Sequence, residues 1–184
     1  MKITALGLEG LKLVEFDVFE DSRGHFVERF NERAFIKQGL PTHFVQDNFS
    51  LSCPGVLRGL HCQRVPSQGK LVSVLQGAIF DAVVDARAES ASIGQRFTIE
   101  LKAGDGRALW IPSGFLHGFC VLGTTPALVT YKVDEYFNPA ADAGVHWADP
   151  ELNIPWPVKV PILSNKDSVL PSFSDFLAVR RKAA

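Results

Sequence analysis

An excess of charge of either sign is what this 184-residue sequence lacks most plainly: 19 lysines and arginines stand against 20 aspartates and glutamates, a formal net charge of −1. That balance excludes a strongly basic binder that would gain affinity by releasing counterions from nucleic acid. An anionic ligand would have to be held by a few placed cations and not by a general positive field. No apolar run is long enough for a membrane-spanning helix, and no signal-like apolar segment follows Lys2. A cytoplasmic protein with no membrane partner is therefore expected. Cysteine is scarce as well. Cys53, Cys62 and Cys120 are odd in number, widely spaced and without a CxxC pair, so reduced and mostly buried thiols are expected in place of a disulfide framework.

Helix signals are also few. Asn31 can cap a short helix over residues 32–38, with Gly39 and Pro41 as its stop. Elsewhere apolar residues recur with period two or in short runs rich in β-branched side chains. Strand candidates include Leu11–Phe19, His25–Phe30, Phe44–Ser52, Val56–Gln63, Leu71–Leu75, Ile79–Asp85, Phe119–Leu122 and Leu128–Tyr136. Gln76-Gly77 reads as a tight hairpin turn between two of these runs. The pattern predicts an all-β sandwich or barrel forming one domain over residues 1–184. From about residue 148 onward, prolines interrupt any regular element. We read this extension as a tail packed on the barrel and anchored by Trp147 and Trp156, since a disordered segment should lack such aromatic anchors.

Polar residues on otherwise inward strand faces carry the chemistry. Gly55-Val-Leu-Arg58-Gly-Leu-His61-Cys-Gln63 and Trp110-Ile-Pro-Ser-Gly-Phe-Leu-His117 together resemble the two motifs of the cupin superfamily, and so predict a jelly-roll barrel. The departures are informative. A metal cupin would offer two histidines and a carboxylate in the first motif, whereas here Gln63 replaces one histidine and Gln68-Gly-Lys70-Leu supplies no carboxylate. A protonated lysine offers no lone pair and repels a divalent cation, so no metal is expected.

What remains suits acid–base work. Histidine titrates near neutrality, which makes His61 a candidate base. Lys70 can place positive charge where a carbonyl oxygen becomes an enolate. Tyr131, on an otherwise apolar strand face, can supply a proton, and Asp167 can orient His61. Taken singly, a histidine or tyrosine on an apolar face is more often a packed core residue. Jointly the balance reverses, because a small core seldom buries several titratable groups unless they serve a site. Cys62 is set aside as a nucleophile, since neighbours on a strand point to opposite faces.

A family resemblance joins these residues. Asp21-Ser-Arg23-Gly-His-Phe26-Val-Glu28, Gln46-Asp-Asn48-Phe-Ser, the two barrel motifs and Leu163-Ser-Asn-Lys166-Asp167 occur in the order seen in dTDP-4-dehydrorhamnose 3,5-epimerases, and the resemblance covers roughly residues 10–170. It implies a cofactor-independent jelly-roll homodimer acting on a dTDP-4-keto-6-deoxy sugar. His61 matches the family's base, Asp167 its dyad partner, Tyr131 the acid on the opposite face of the sugar, and Lys70 the enolate stabiliser. His117 matches a substrate contact. Arg23, Phe26, Glu28, Gln46, Asp47, Asn48 and Arg58 match the nucleotide-binding region, and Asp142 and Lys166 match further substrate-region positions. Asp142 stands where glutamate is usual and Cys62 where tyrosine is common. Arg58 and His61 are three apart, so a regular strand would send them to opposite faces. A sister epimerase inverting one carbon, or acting on a related dTDP-4-keto sugar, would need the same base and enolate stabiliser. A non-catalytic sugar-binding cupin would not need the four together.

The donor set generates a prediction about metal. Purified protein should hold no stoichiometric transition metal and keep its activity in a chelator; elemental analysis finding one tightly bound metal per chain, with activity lost on its removal, would refute the acid–base reading.

Overall fold

The computed structural model describes residues 1–182, with side chains as far as Val179. Two antiparallel sheets face one another. Their strands are β1 (Lys2–Ala5), β2 (Lys12–Glu15), β5 (Gln46–Ser52), β6 (Leu57–Gln63), β7 (Lys70–Gln76), β8 (Ala78–Asp85), β9 (Arg96–Lys102), β10 (Arg107–Ile111), β11 (Phe115–Leu122), β12 (Ala127–Val133) and β13 (Asp142–Gly144), while β3 (Val18–Asp21) and β4 (Gly24–Val27) form a separate hairpin. The six-stranded sheet runs β1-β2-β10-β7-β12-β5 and the five-stranded sheet β13-β6-β11-β8-β9. The all-β jelly roll expected from the motifs is what forms.

Alternation explains the layering. Inward residues such as Val72, Val74, Val83, Leu109, Phe119 and Val129 build the core between the sheets. The outer faces are covered too. The helix α1 (Glu32–Lys37) lays Phe35 against Val14, Phe16, Leu71 and Trp110 on the six-stranded sheet. Its N-cap is Asn31, whose side chain accepts a bond from the Ala34 amide at 3.1 Å. The tail covers the other sheet, packing Leu152, Ile154, Trp156, Phe173 and Phe176 against Leu60, Cys62 and Val84. Trp156 also donates from its indole to the Trp147 carbonyl at 2.8 Å, so the tail is anchored as expected.

Three expectations are corrected. The run over residues 11–19 is not one strand: β2 ends at Glu15 and the chain leaves the sheet for the β3–β4 hairpin. Gln76-Gly77 does not close a hairpin. β7 and β8 lie in different sheets, and Gly77, at φ +72°, turns the chain across the barrel edge. The tail ends in a second helix, α2 (Phe173–Lys182), where prolines led us to expect no regular element. Ser172 starts it: its hydroxyl accepts from the Asp175 amide at 3.2 Å and donates to the Asp175 carboxylate at 2.6 Å, an N-cap that the serine supplies.

Candidate active site

Strand β6 carries the centre of the site, and its backbone is irregular there. His61 pairs with His117 on β11 and Arg58 pairs with Phe119, so three residues of β6 advance against two of β11. The bulge falls at Gly59, whose φ is +118° and where a Cβ would lie 2.6 Å from the Gly118 Cα. Glycine is what this position admits. The extra residue turns Arg58 to the same side as His61, so both line one cavity of about 290 Å³ despite their spacing.

The two sheets supply different groups to that cavity. His61 and His117 come from β6 and β11 of the five-stranded sheet; Lys70 and Tyr131 come from β7 and β12 of the six-stranded sheet. His61 Nε2 lies 2.7 Å from Asp167 Oδ1, across 106 residues of sequence. Asp167 begins the 3-10 turn Asp167–Val169 in the tail and is buried. Burial alone would raise its carboxyl, but hydrogen bonding and charge from His61, with bonds from the Gly59 amide and Ser164, hold it below the ordinary carboxylate range. The anion can therefore fix the His61 tautomer and stabilise an imidazolium. His117 is held in parallel fashion, its Nε2 2.8 Å from an oxygen of the fully buried Asp81 on β8.

Across the cavity the shifts follow from burial. Desolvation draws the Lys70 ammonium below the usual lysine value, with Cys62, Asp134 and Asp142 acting in the opposite sense. Such a poorly hydrated cation gains most when negative charge develops beside it. Burial raises the Tyr131 phenol, opposed by Arg58. That shift keeps the phenol protonated, as a proton donor must be. Asp142 and Lys166 form an ion pair at the cavity's edge.

With this geometry in view, likeness to known proteins can be weighed. The family model for dTDP-4-dehydrorhamnose 3,5-epimerase matches residues 5–175. A curated enzyme of that name from Pseudomonas aeruginosa is 45% identical over 95% of this chain and 97% of its own. The chain belongs to the dTDP-4-dehydrorhamnose 3,5-epimerase family. Among solved structures, a family member from Bacillus anthracis with TDP and PPi bound superposes with a TM-score of 0.89 at 46% identity, covering 93% of this chain and 98% of that one. A dTDP-6-deoxy-D-glucose-3,5-epimerase from Legionella pneumophila, in complex with dTDP-4-keto-L-rhamnose, gives 0.89 at 41% identity, covering 94% and 93%.

Within this epimerase fold the sequence-derived residues fall into two places. His61, Lys70, His117, Tyr131, Arg58, Asp142 and Lys166 line the cavity, and Asp167 backs it. Gln46 and Asn48 are hydrogen-bonded to each other at 2.8 Å and share the face of β5 that Ser50 presents to the cavity. Asp47 alternates to the opposite face and pairs with Lys132 at 2.7 Å, so its carboxylate is not part of this cavity. Arg23, Phe26 and Glu28 are not brought to the cavity by their own chain. Arg23 pairs with Asp21 on the exposed hairpin, Glu28 accepts from Asn31 just beyond it, and Phe26, 66% exposed, faces solvent beside Phe19. Asp81 and Phe137 were missed. An aspartate inside the apolar run of β8 was the available signal for the first, whereas Phe137 lies in a connection that offers no pattern.

The dyad generates the next prediction. Asp167 is held low, so the stability it lends is full above the ordinary carboxylate range and is lost as pH falls through its lowered value. Ionised and hydrogen-bonded to His61, it can position that ring, and it backs the cavity without lining it. Asp167→Asn should therefore lower kcat by about 10²–10⁴-fold with KM little changed in steady-state assays; an unaltered kcat would remove Asp167 from the mechanism.

Proposed function

We propose that this epimerase inverts C3 and C5 of dTDP-4-dehydro-6-deoxy-D-glucose to give dTDP-4-dehydro-L-rhamnose for dTDP-L-rhamnose biosynthesis. The observation that carries the mechanism is the placement of His61 and Tyr131 on opposing sheets around one cavity. Inversion needs a proton removed from one face of a carbon and another returned to the opposite face. C3 and C5 both adjoin the C4 ketone, so each hydrogen is acidified by the same carbonyl. His61 takes the proton, the C–H electron pair moves into the enolate, and the charge collects on the C4 oxygen. Lys70 stabilises that oxygen, an effect typically worth roughly 3–4 kcal/mol per donor. Tyr131 then protonates the carbon from the other side. No step calls for a cofactor.

The nucleotide is assigned to the cationic rim. Arg58, fixed by a 2.9 Å bond to Ser52, offers a planar fork suited to a diphosphate. Arg23 and Phe26 of the nucleotide-binding set lie on the exposed hairpin with Glu28 just beyond it, and the edge strand β5 presents Phe49 and Leu51 to solvent at 75% and 58% exposure. Both features fit a homodimer in which the hairpin of one copy completes the cavity of the other. Arg23→Ala and His61→Asn should each be nearly inactive alone, yet mixed dimers of the two should regain activity, because one cavity then has both native residues. Mixing that restores nothing would overturn the shared site.

The chemistry is tested by label. In deuterated water His61→Asn should abolish both solvent exchange and product formation. Tyr131→Phe should allow exchange while net inversion falls by about 10²–10⁴-fold. The native enzyme should place deuterium at both C3 and C5; label at one carbon alone would favour the sister activity that inverts a single centre.

A further inference from the structure

Between β12 and β13 the chain runs over residues 134–141 without a strand or helix of its own. It places Phe137, 55% exposed, on the wall of the cavity. A connection with no ladder is by default among the first parts of a fold to open. This one is tied down by glutamine side chains from separate elements. Gln68 donates to the Glu135 carbonyl at 2.7 Å, and Gln46 of β5 accepts from the Phe137 amide at 3.1 Å.

Gln63 binds it at the centre. Two positions beyond His61 on the same face of β6, it is 4% exposed. Its Nε2 donates to the Pro66 carbonyl at 2.7 Å and to the Tyr136 carbonyl at 3.0 Å, while its Oε1 accepts from the Asn138 amide at 2.7 Å. Both amide hydrogens are thus used, and the oxygen accepts as well. No other side chain of this size has two donors and an acceptor so arranged: a carboxylate would face two carbonyls with no proton to give.

We propose that Gln63 is a positioning residue of the epimerase: it locks the Phe137 segment to the strand that carries the base, and so sets where the sugar sits relative to His61. The inference rests on the epimerase reading above and adds a residue to it. A sugar ring that must present C3 and then C5 to one base needs a wall at a fixed height. Misplacement of about 1 Å in such a site can cost ~10²-fold in rate.

The test is a double-mutant cycle on the full-length protein. Gln63→Glu should speed hydrogen exchange at the Phe137 and Asn138 amides and lower kcat/KM for dTDP-4-keto-6-deoxyglucose about tenfold or more, with net inversion falling further than solvent-deuterium exchange. Phe137→Ala, at a half-exposed position, should lower kcat/KM similarly. The double variant should be little worse than either single, because Gln63 acts through the segment that Phe137 presents. Additive losses, or a folded Gln63→Glu protein with native kcat/KM, would overturn the proposal. If Gln63→Glu does not fold, Phe137→Ala decides: a loss supports the positioning role and native kinetics overturn it. A wild-type chain that failed to turn over the sugar would count against the reaction; unchanged amide exchange in Gln63→Glu would count against the clamp.

Discussion

A single hydrogen bond of 2.7 Å joins two parts of the site that lie 106 residues apart in sequence, His61 in the barrel and Asp167 in the tail. Much of the structure is explained by what it takes to make that bond reliable. The carboxylate must be buried to act strongly and must stay ionised while buried, which His61 favours, helped by the Gly59 amide and Ser164. The tail must also be immobile. Ile162 forms a parallel bridge to Val56 at the start of β6, and the aromatic residues of α2 close the outer face of the same sheet. The extension is thus the means by which a carboxylate far along the chain reaches the base.

The bulge in β6 serves the same end from the other side. Moving one extra residue into the strand lets Arg58 and His61 face one cavity, and the Gly59 amide released from the ladder points at Asp167. Close approach of neighbouring strands is what fixes the residue types. A Cβ at Gly144, on β13, would stand 2.3 Å from the Leu60 carbonyl, and one at Gly118 would stand 2.8 Å from the Arg58 carbonyl. The glycines flanking the base strand therefore follow from packing around an irregular segment, and need no part in the chemistry.

How much of this was legible follows from the range of each signal. The barrel, the capped helix α1 and the inward polar residues are encoded by local period and by motif spacing, so His61, Lys70, His117 and Tyr131 could be named from the chain, while Asp167, in a turn of the tail, was reached through the string Leu163–Asp167. The face of Arg58 could not, because alternation assumes a regular ladder and the bulge depends on the partner strand. Gln76-Gly77 has the composition of a hairpin turn, yet composition does not say whether the next strand joins the same sheet. Arg23, Phe26 and Glu28 were legible as a motif and illegible as a place, since a motif does not say that its own chain leaves it away from the cavity. The start of α2 was legible in Ser172 and Asp175, and the density of prolines upstream obscured it.

Donor chemistry explains why a barrel of this shape is suited to proton transfer. In a metal cupin the inward histidines turn their ring nitrogens toward one point. Here Nε2 of His61 is held by Asp167 and Nε2 of His117 by Asp81, while the Gln63 amide is held by backbone groups. The two carboxylates that hold the imidazoles are themselves buried, so each ring is committed to a partner within the protein. Lys70 then occupies the interior with a positive charge, which would oppose a divalent ion and favour an enolate. The same shell that makes the site a poor metal ligand fixes both imidazoles on the cavity wall. A histidine fixed in angle and backed by an anion is what the proposed base requires.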